Sequence, residues 1–143
     1  MTIQSIDFGT PAFDEALSLR NDILRIPLAL EFETEDIQKE WDSYHLGLYD
    51  QEHALQACLT LLPVDKHEIK MRQVAVAQLN QGKGLGSALV SASESFCKER
   101  KFNTIVLHAR KTAVAFYKKH GYKTKGKLFE EVGIPHYKMY KKL

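Results

Sequence analysis

The amino-acid sequence predicts a single α/β (α+β) domain, and two observations carry that expectation. A strand-like run over residues 68–76 passes through the glycine-bearing stretch Asn80-Gln81-Gly82-Lys83-Gly84 into a helical pattern, and the helix is followed by a β-branched strand pattern over residues 103–109. Strand, glycine loop, helix and strand in that order imply a right-handed crossover to a parallel neighbour. The second observation is size: 143 residues at 44% hydrophobic content suffice for one core and leave no room for two. No Pro-, Gly- or Ser-rich linker, internal repeat or low-complexity segment interrupts the chain, so residues 1–143 read as one unit.

The elements follow in order. Residues 2–7 alternate as a short strand, and Thr10-Pro11 introduces a helix to about Arg25 whose Phe13, Ala16, Leu17, Ile23 and Leu24 share a stripe. Pro27 is expected to end it, with a shorter acidic helix over residues 34–41. Residues 45–49 and 54–62 read as strands joined in a hairpin by Asp50-Gln51-Glu52-His53. After the third strand, Leu85, Leu89, Val90, Ser93 and Phe96 recur at helical spacing to about Arg100. Thr112 is placed to cap a helix carrying Ala113, Phe116 and Tyr117, closed by His120-Gly121 with glycine just past the end. Tyr122-Lys123 and residues 136–142 read as closing strands, separated by a loop containing Gly133 and Pro135.

Composition excludes several function classes. Twenty basic and eighteen acidic residues give a net charge of +2, too balanced to point to nucleic acid. Cys58 and Cys97 lie far apart in apolar surroundings and read as reduced, buried thiols, with neither metal-site spacing nor disulfide density. The first residues lack the basic and apolar regions of a leader, and no run of eighteen apolar residues occurs. A cytoplasmic protein without membrane contact is expected, and no metal is called for. The first third is acid-rich and the chain beyond residue 98 lysine-rich, a pattern that favours a cationic acceptor for one half and an anionic cofactor for the other, or two solvated surfaces.

The chemistry resides in residues 74–89. Glycines at 82, 84 and 86 remove Cβ atoms where a helix begins, so the free N–H groups of its first turn and the helix dipole together suit a pyrophosphate. A Walker A loop fails because Gly84 is followed by Leu85. A dinucleotide fingerprint is nearly met by Gly82, Gly84 and Ser87, but Glu99 sits at a helix end rather than a strand tip.

Gln81-Gly82-Lys83-Gly84-Leu85-Gly86 resembles the [QR]xxGx[GA] signature of the GNAT superfamily of N-acetyltransferases. Two further segments resemble that superfamily in the same order. Ala113 to Tyr122, containing Phe116-Tyr117 and Gly121, is similar to its A-x-x-FY-x-x-x-GF segment, and Gly133-Ile134-Pro135-His136 with Met139 to the closing strand of an ElaA-like branch. The resemblance covers residues 45–142. In the first third, only Leu19-Arg20 and His45 match that branch's loose pattern.

The resemblance implies a mixed central sheet with splayed parallel strands, here near residues 70–76 and 104–109, flanked by helices. It implies acetyl-CoA as cosubstrate and transfer of its acetyl group to a primary amine of a small molecule or peptide. By similarity, Val74 and Val76 would pair with the pantetheine arm, and the backbone of Gln81, Gly82, Lys83, Gly84, Leu85, Gly86 and Ser87 would hold the pyrophosphate. Phe116 and Tyr117 would complete the cofactor site. Arg110 and Lys111 stand where they can reach phosphates. Tyr117 occupies the place of the general acid that protonates the leaving thiolate, and the Val76 N–H that of the oxyanion donor. The general base stays open among His45, His108, His136, Glu31 and Glu33, with His45 favoured because it begins a strand. A non-catalytic acyl-CoA-binding module and a nucleotide-binding regulatory domain are the alternatives; a homodimer is left open as an assembly.

Overall fold

The chain forms β1 (Thr2–Ile6), α1 (Pro11–Arg20), α2 (Thr34–Gln38), β2 (Tyr44–Tyr49), β3 (Leu55–Pro63), β4 (Glu68–Val76), α3 (Leu85–Glu99), β5 (Thr104–Arg110), α4 (Val114–Lys119), β6 (Lys123–Glu131) and β7 (Ile134–Lys142). These come from a computed structural model that describes residues 1–28 and 34–143. One seven-stranded sheet runs in the order β1-β2-β3-β4-β5-β7-β6. Its neighbours are antiparallel except β4 with β5. That parallel pair needs a crossover, which α3 supplies. The mixed sheet flanked by helices agrees with the fold class expected from sequence.

The two faces of the sheet are built differently. On one, Leu89, Val90 and Cys97 of α3 pack against Ile69, Met71, Ile105 and Leu107. On the other, Phe13 and Ala16 of α1 cover Ile6, Cys58 and Ala75. Both cysteines are free, and burial pushes each thiol up to about 12, so neither is nucleophilic near neutrality.

β4 positions the site through a bulge. Cys58 pairs with Ala75 and Thr60 with Arg72, so β4 carries one extra residue between them, and Gln73 adopts φ +56° there. The bulge inverts the alternation along the strand. Before it, Ile69 and Met71 face α3 while Lys70 and Arg72 face the opposite side; after it, Val74 and Val76 pack on the α3 side and Ala75 on the α1 side. The ladder between β4 and β5 runs from Glu68–Thr104 to Met71–Leu107 and stops there, although β4 continues to Val76 and β5 to Arg110. The expected splay is present, and it opens one residue beyond Met71 and Leu107.

Several local expectations are corrected. Pro27 does not end the first helix: α1 stops at Arg20, a wider π-type turn follows over Asn21–Arg25, and Pro27 lies inside a 3₁₀ turn, Ile26–Leu28. The second helix is α2 plus a 3₁₀ turn, Lys39–Asp42. Thr112 does not cap α4. It lies within a 3₁₀ turn, Lys111–Ala113, and Ala113 precedes the helix without a side-chain cap. The closing strands form a long hairpin whose two-residue turn is Val132-Gly133, and Pro135 belongs to β7. Val132 at φ +48° and Gly133 at φ +74° give the turn the twist a two-residue hairpin needs, at a cost for β-branched Val132. Gly121 follows α4 at φ +85°, as expected.

Candidate active site

The segment between β4 and α3 is a chain of turns that leaves backbone donors exposed. After a 3₁₀ turn, Gln78–Asn80, Gly82 (φ +83°) and Gly84 (φ +79°) take the left-handed conformation, and no heavy atom lies within 4 Å of a Cβ built on either. The first amide to close onto the α3 ladder is Ala88 N–H, donating to the Gly84 carbonyl at 3.1 Å, so the N–H groups of Leu85, Gly86 and Ser87 have no intrahelical acceptor. The Gln81 amide, expected to be free, instead donates to Gln78 O at 3.3 Å. Its side chain ties down the end of β4, donating from Nε2 to the Val76 carbonyl at 3.1 Å. Lys83 Nζ donates to Asn80 Oδ1 at 3.3 Å, leaving the ammonium beside the turn. Gly86 differs from Gly82 and Gly84: a Cβ there would lie at ordinary van der Waals distance from the Phe116 ring, 3.5 Å, and from Val76 Cγ2, 3.7 Å, so packing does not demand glycine at this position.

Val76 presents its backbone to the splay. Ala77 N–H donates to Gln56 O of the β3 side at 2.9 Å. Since successive residues of a strand direct their N–H and C=O to opposite edges, the N–H of Val76, and that of Val74 two residues earlier, are directed to the open edge.

A cavity of about 560 Å³ occupies the splay, walled by β4 over residues 70–74, by β5 over residues 107–110, and by Tyr117 of α4. Tyr117 is 8% exposed, and burial pushes its phenol up to about 12, which keeps the proton on Oη at any neutral pH. Its ring lies edge-on to Phe116 at 5.1 Å and to Tyr122 at 5.7 Å. His120, at the end of α4, joins this wall to α3 through a 2.9 Å hydrogen bond between Nε2 and Ser87 Oγ, a role beyond closing the helix.

The β5 side of the cavity carries a histidine–carboxylate cluster. His108 Nδ1 lies 3.0 Å from Glu131 Oε1, and His136 Nε2 lies 3.6 Å from Glu131 Oε2; all three residues line the cavity. Burial opposes ionisation of Glu131, but the His108 hydrogen bond, the two imidazoles and Lys70 outweigh it and hold the carboxyl below its ordinary value. His136 Nδ1 also faces the Ile134 carbonyl at 2.7 Å, so both its ring nitrogens face oxygen acceptors. In the neutral tautomer whose Nδ1–H donates to Glu131, Nε2 of His108 is the ring's proton acceptor. Glu131 was missed from sequence because a glutamate in a Lys- and Glu-rich stretch carries no local signal.

His45 is placed elsewhere. It is 4% exposed, with Nδ1 at 3.0 Å from Thr60 Oγ1 and Nε2 at 3.1 Å from the Glu40 carbonyl, and its ring packs on Phe13 at 4.9 Å. Burial holds its pKa below the ordinary value, and it does not line the cavity. Both nitrogens are used by the fold, so His45 does not stand where a base would act. Glu31 and Glu33 lie outside the described residues. Arg110, expected at the cofactor phosphates, stands on the cavity wall. No acid of the first third lies on that wall among the described residues, so the acidic segment does not translate into an acidic cleft.

The Acetyltransferase (GNAT) domain model matches residues 31–143, which include the loop, the splay and the cluster. The chain belongs to the GNAT acetyltransferase family. It is 29% identical over 128 residues to the uncharacterized N-acetyltransferase YjcF of Bacillus subtilis (strain 168), covering 89% of this chain and 90% of that one. Escherichia coli ElaA shares the fold at a TM-score of 0.84 and 20% identity over 97% of each chain. A GNAT family acetyltransferase from Elizabethkingia anophelis, solved with acetyl-CoA bound, does so at a TM-score of 0.75 and 19% identity over 99% of this chain and 97% of that one. Among the described residues, no helix of this GNAT chain is long and apolar enough to cross a membrane.

Proposed function

We propose that this single-domain protein transfers the acetyl group of acetyl-CoA to a primary amine of a small molecule or peptide, with Tyr117 as general acid. The observation that carries the reading is the unpaired stretch of β4 beyond Met71: it ends in a turn of unpartnered amides and shares a cavity with a buried, protonated tyrosine. The donors fit a diphosphate, being backbone N–H groups at a helix N-terminus with no Cβ at Gly82 or Gly84 in their way. The amides of residues 82–87 would hold that group with Lys83 adding charge, while Val74, Val76 and Phe116 would line the pantetheine arm.

Acetyl-CoA supplies an acyl carbon activated as a thioester, so that C–N bond formation accompanies C–S cleavage. Within that frame, the Val76 N–H donates to the oxygen where negative charge develops. His108 Nε2 takes the proton from the amine, and Glu131 holds the ring in that tautomer and steadies the imidazolium. Tyr117 Oη gives its proton to the departing sulfur. Holding the reactants in one cavity supplies much of the remaining rate.

A thiol-release assay over amines, polyamines, aminoglycosides and peptides, paired with calorimetric acetyl-CoA binding, tests the reading. Tyr117→Phe should lower kcat on the order of a hundred-fold while acetyl-CoA affinity holds. An unchanged kcat would remove Tyr117 from its role. Retained acetyl-CoA binding with no thiol release from any amine would instead make the protein a binding module.

A further inference from the structure

We propose that the acceptor is an amine that also carries an anionic group, carboxylate or phosphate, and that Arg72 and Arg110, assisted by Lys70, hold that anion. The proposal rests on the acyltransferase reading and deepens it. Four cations line the cavity, Arg25, Lys70, Arg72 and Arg110, against one carboxylate, Glu131, which its two histidines already engage. Among the described residues, no carboxylate lies within ion-pair distance of Lys70, Arg72 or Arg110.

Their placement separates these cations from the diphosphate nest. Lys70 and Arg72 precede the bulge and so face away from α3, whereas Val74 and Val76 follow it and face α3. Arg72 also stands before Val76 by roughly 10 Å along the strand at about 3.3 Å per residue, since their β3 partners, Thr60 and Ala57, are three residues apart. Arg110 reaches the same side at the end of β5: Ile105, Leu107 and Ala109 pack toward α3, and Arg110 alternates with them.

The cations repel one another across this mouth. Burial first, then the charges of Arg20, Arg72 and Arg110, hold the Arg25 guanidinium below its ordinary value; burial and Arg72 do the same to Lys70. Like charges gathered in a half-enclosed cleft raise the local potential, which draws an anion in and rejects a polycation. Arginine is suited to the planar, two-oxygen face that carboxylates and phosphates present. An anchored anion would leave the far end of the acceptor, its amine, to reach His108 on the same wall.

The test compares matched acceptors: 4-aminobutyrate and 2-aminoethyl phosphate against 4-aminobutan-1-ol and putrescine, each with acetyl-CoA. The anionic pair should exceed the others in kcat/KM on the order of ten- to a hundred-fold, and the better of the two says which anion the site takes. Arg72→Gln and Arg110→Gln should erase most of that preference through KM while leaving acetyl-CoA affinity within about two-fold. A readout without turnover accompanies this: inorganic phosphate should raise the Tm of CoA-saturated wild type saturably, and fail to do so in the double variant. A preference for putrescine, a variant that loses acetyl-CoA affinity instead, or no phosphate effect on CoA-saturated protein overturns the proposal. If wild type fails to bind acetyl-CoA at all, the acyltransferase reading falls instead.

Discussion

Among the described residues, two polar clusters each bring a glutamate and histidine together, and their difference separates structure from chemistry. In the first, Arg20 NH1 and NH2 donate to the two Glu40 oxygens at 2.7 Å each, and His45 bridges the Glu40 carbonyl to Thr60. Arg20, Glu40 and His45 are each no more than 4% exposed. In the second, Glu131 takes both His108 and His136, but its side chain is 45% exposed, that of His108 is 28% exposed, and all three face a cavity. A closed network has spent its donors and acceptors on the fold. An open one keeps a ring nitrogen facing space that a substrate can enter.

The largest expected consequence lies in the closed group. Glu40→Ala leaves the buried Arg20 guanidinium without this carboxylate and should cost about 3–5 kcal/mol, read as a lowered urea midpoint. A cost under about 1 kcal/mol would mean that the pair is not sealed as described. In the open group the same kind of change should reverse its signature. His108→Gln should lower kcat on the order of a hundred-fold while the urea midpoint barely moves, since a partly exposed ring at the edge of the cavity contributes little packing. A stability loss with kcat intact would make the second group structural like the first.

The smallest effect sharpens the comparison through pH. Because burial lowers the His45 pKa in the folded state, the unfolded chain binds the proton more readily, so this contribution to stability is intact above about pH 6.5 and is lost as pH falls below it. His45→Gln, which keeps a donor and an acceptor, should flatten the stability slope below about pH 6.5. An unchanged slope would place the titration elsewhere.

Much of the site was legible because it is local. The turn with Gly82 and Gly84, the α3 start at Leu85, the bounds of β4 and the place of Tyr117 about one turn before a positive-φ glycine all arise from neighbouring residues. Of β6 only the start at Lys123 was legible, for a physical reason. Its Lys-Thr-Lys-Gly-Lys stretch is exposed on both faces and held by backbone pairing to β7, so no alternation of apolar side chains marks it. The two-residue turn at Val132-Gly133 was hidden with it, and the position of Glu131 depends on that turn.

By itself, then, the sequence determined the order of strands and helices around the crossover, the amide-rich turn, and membership of a family that transfers acetyl groups. The first two follow from periodicity and backbone conformation, which act over a few residues; the third rests on the resemblance of short motifs to those of the family. Tertiary structure alone decided that His45 is sealed into the fold, that His108, Glu131 and His136 meet, and that four cations share one mouth. Those outcomes depend on the β4 bulge and on the β5-β7-β6 register, which join residues far apart in the chain, and burial, field and proton affinity are properties of that assembled surface rather than of any segment.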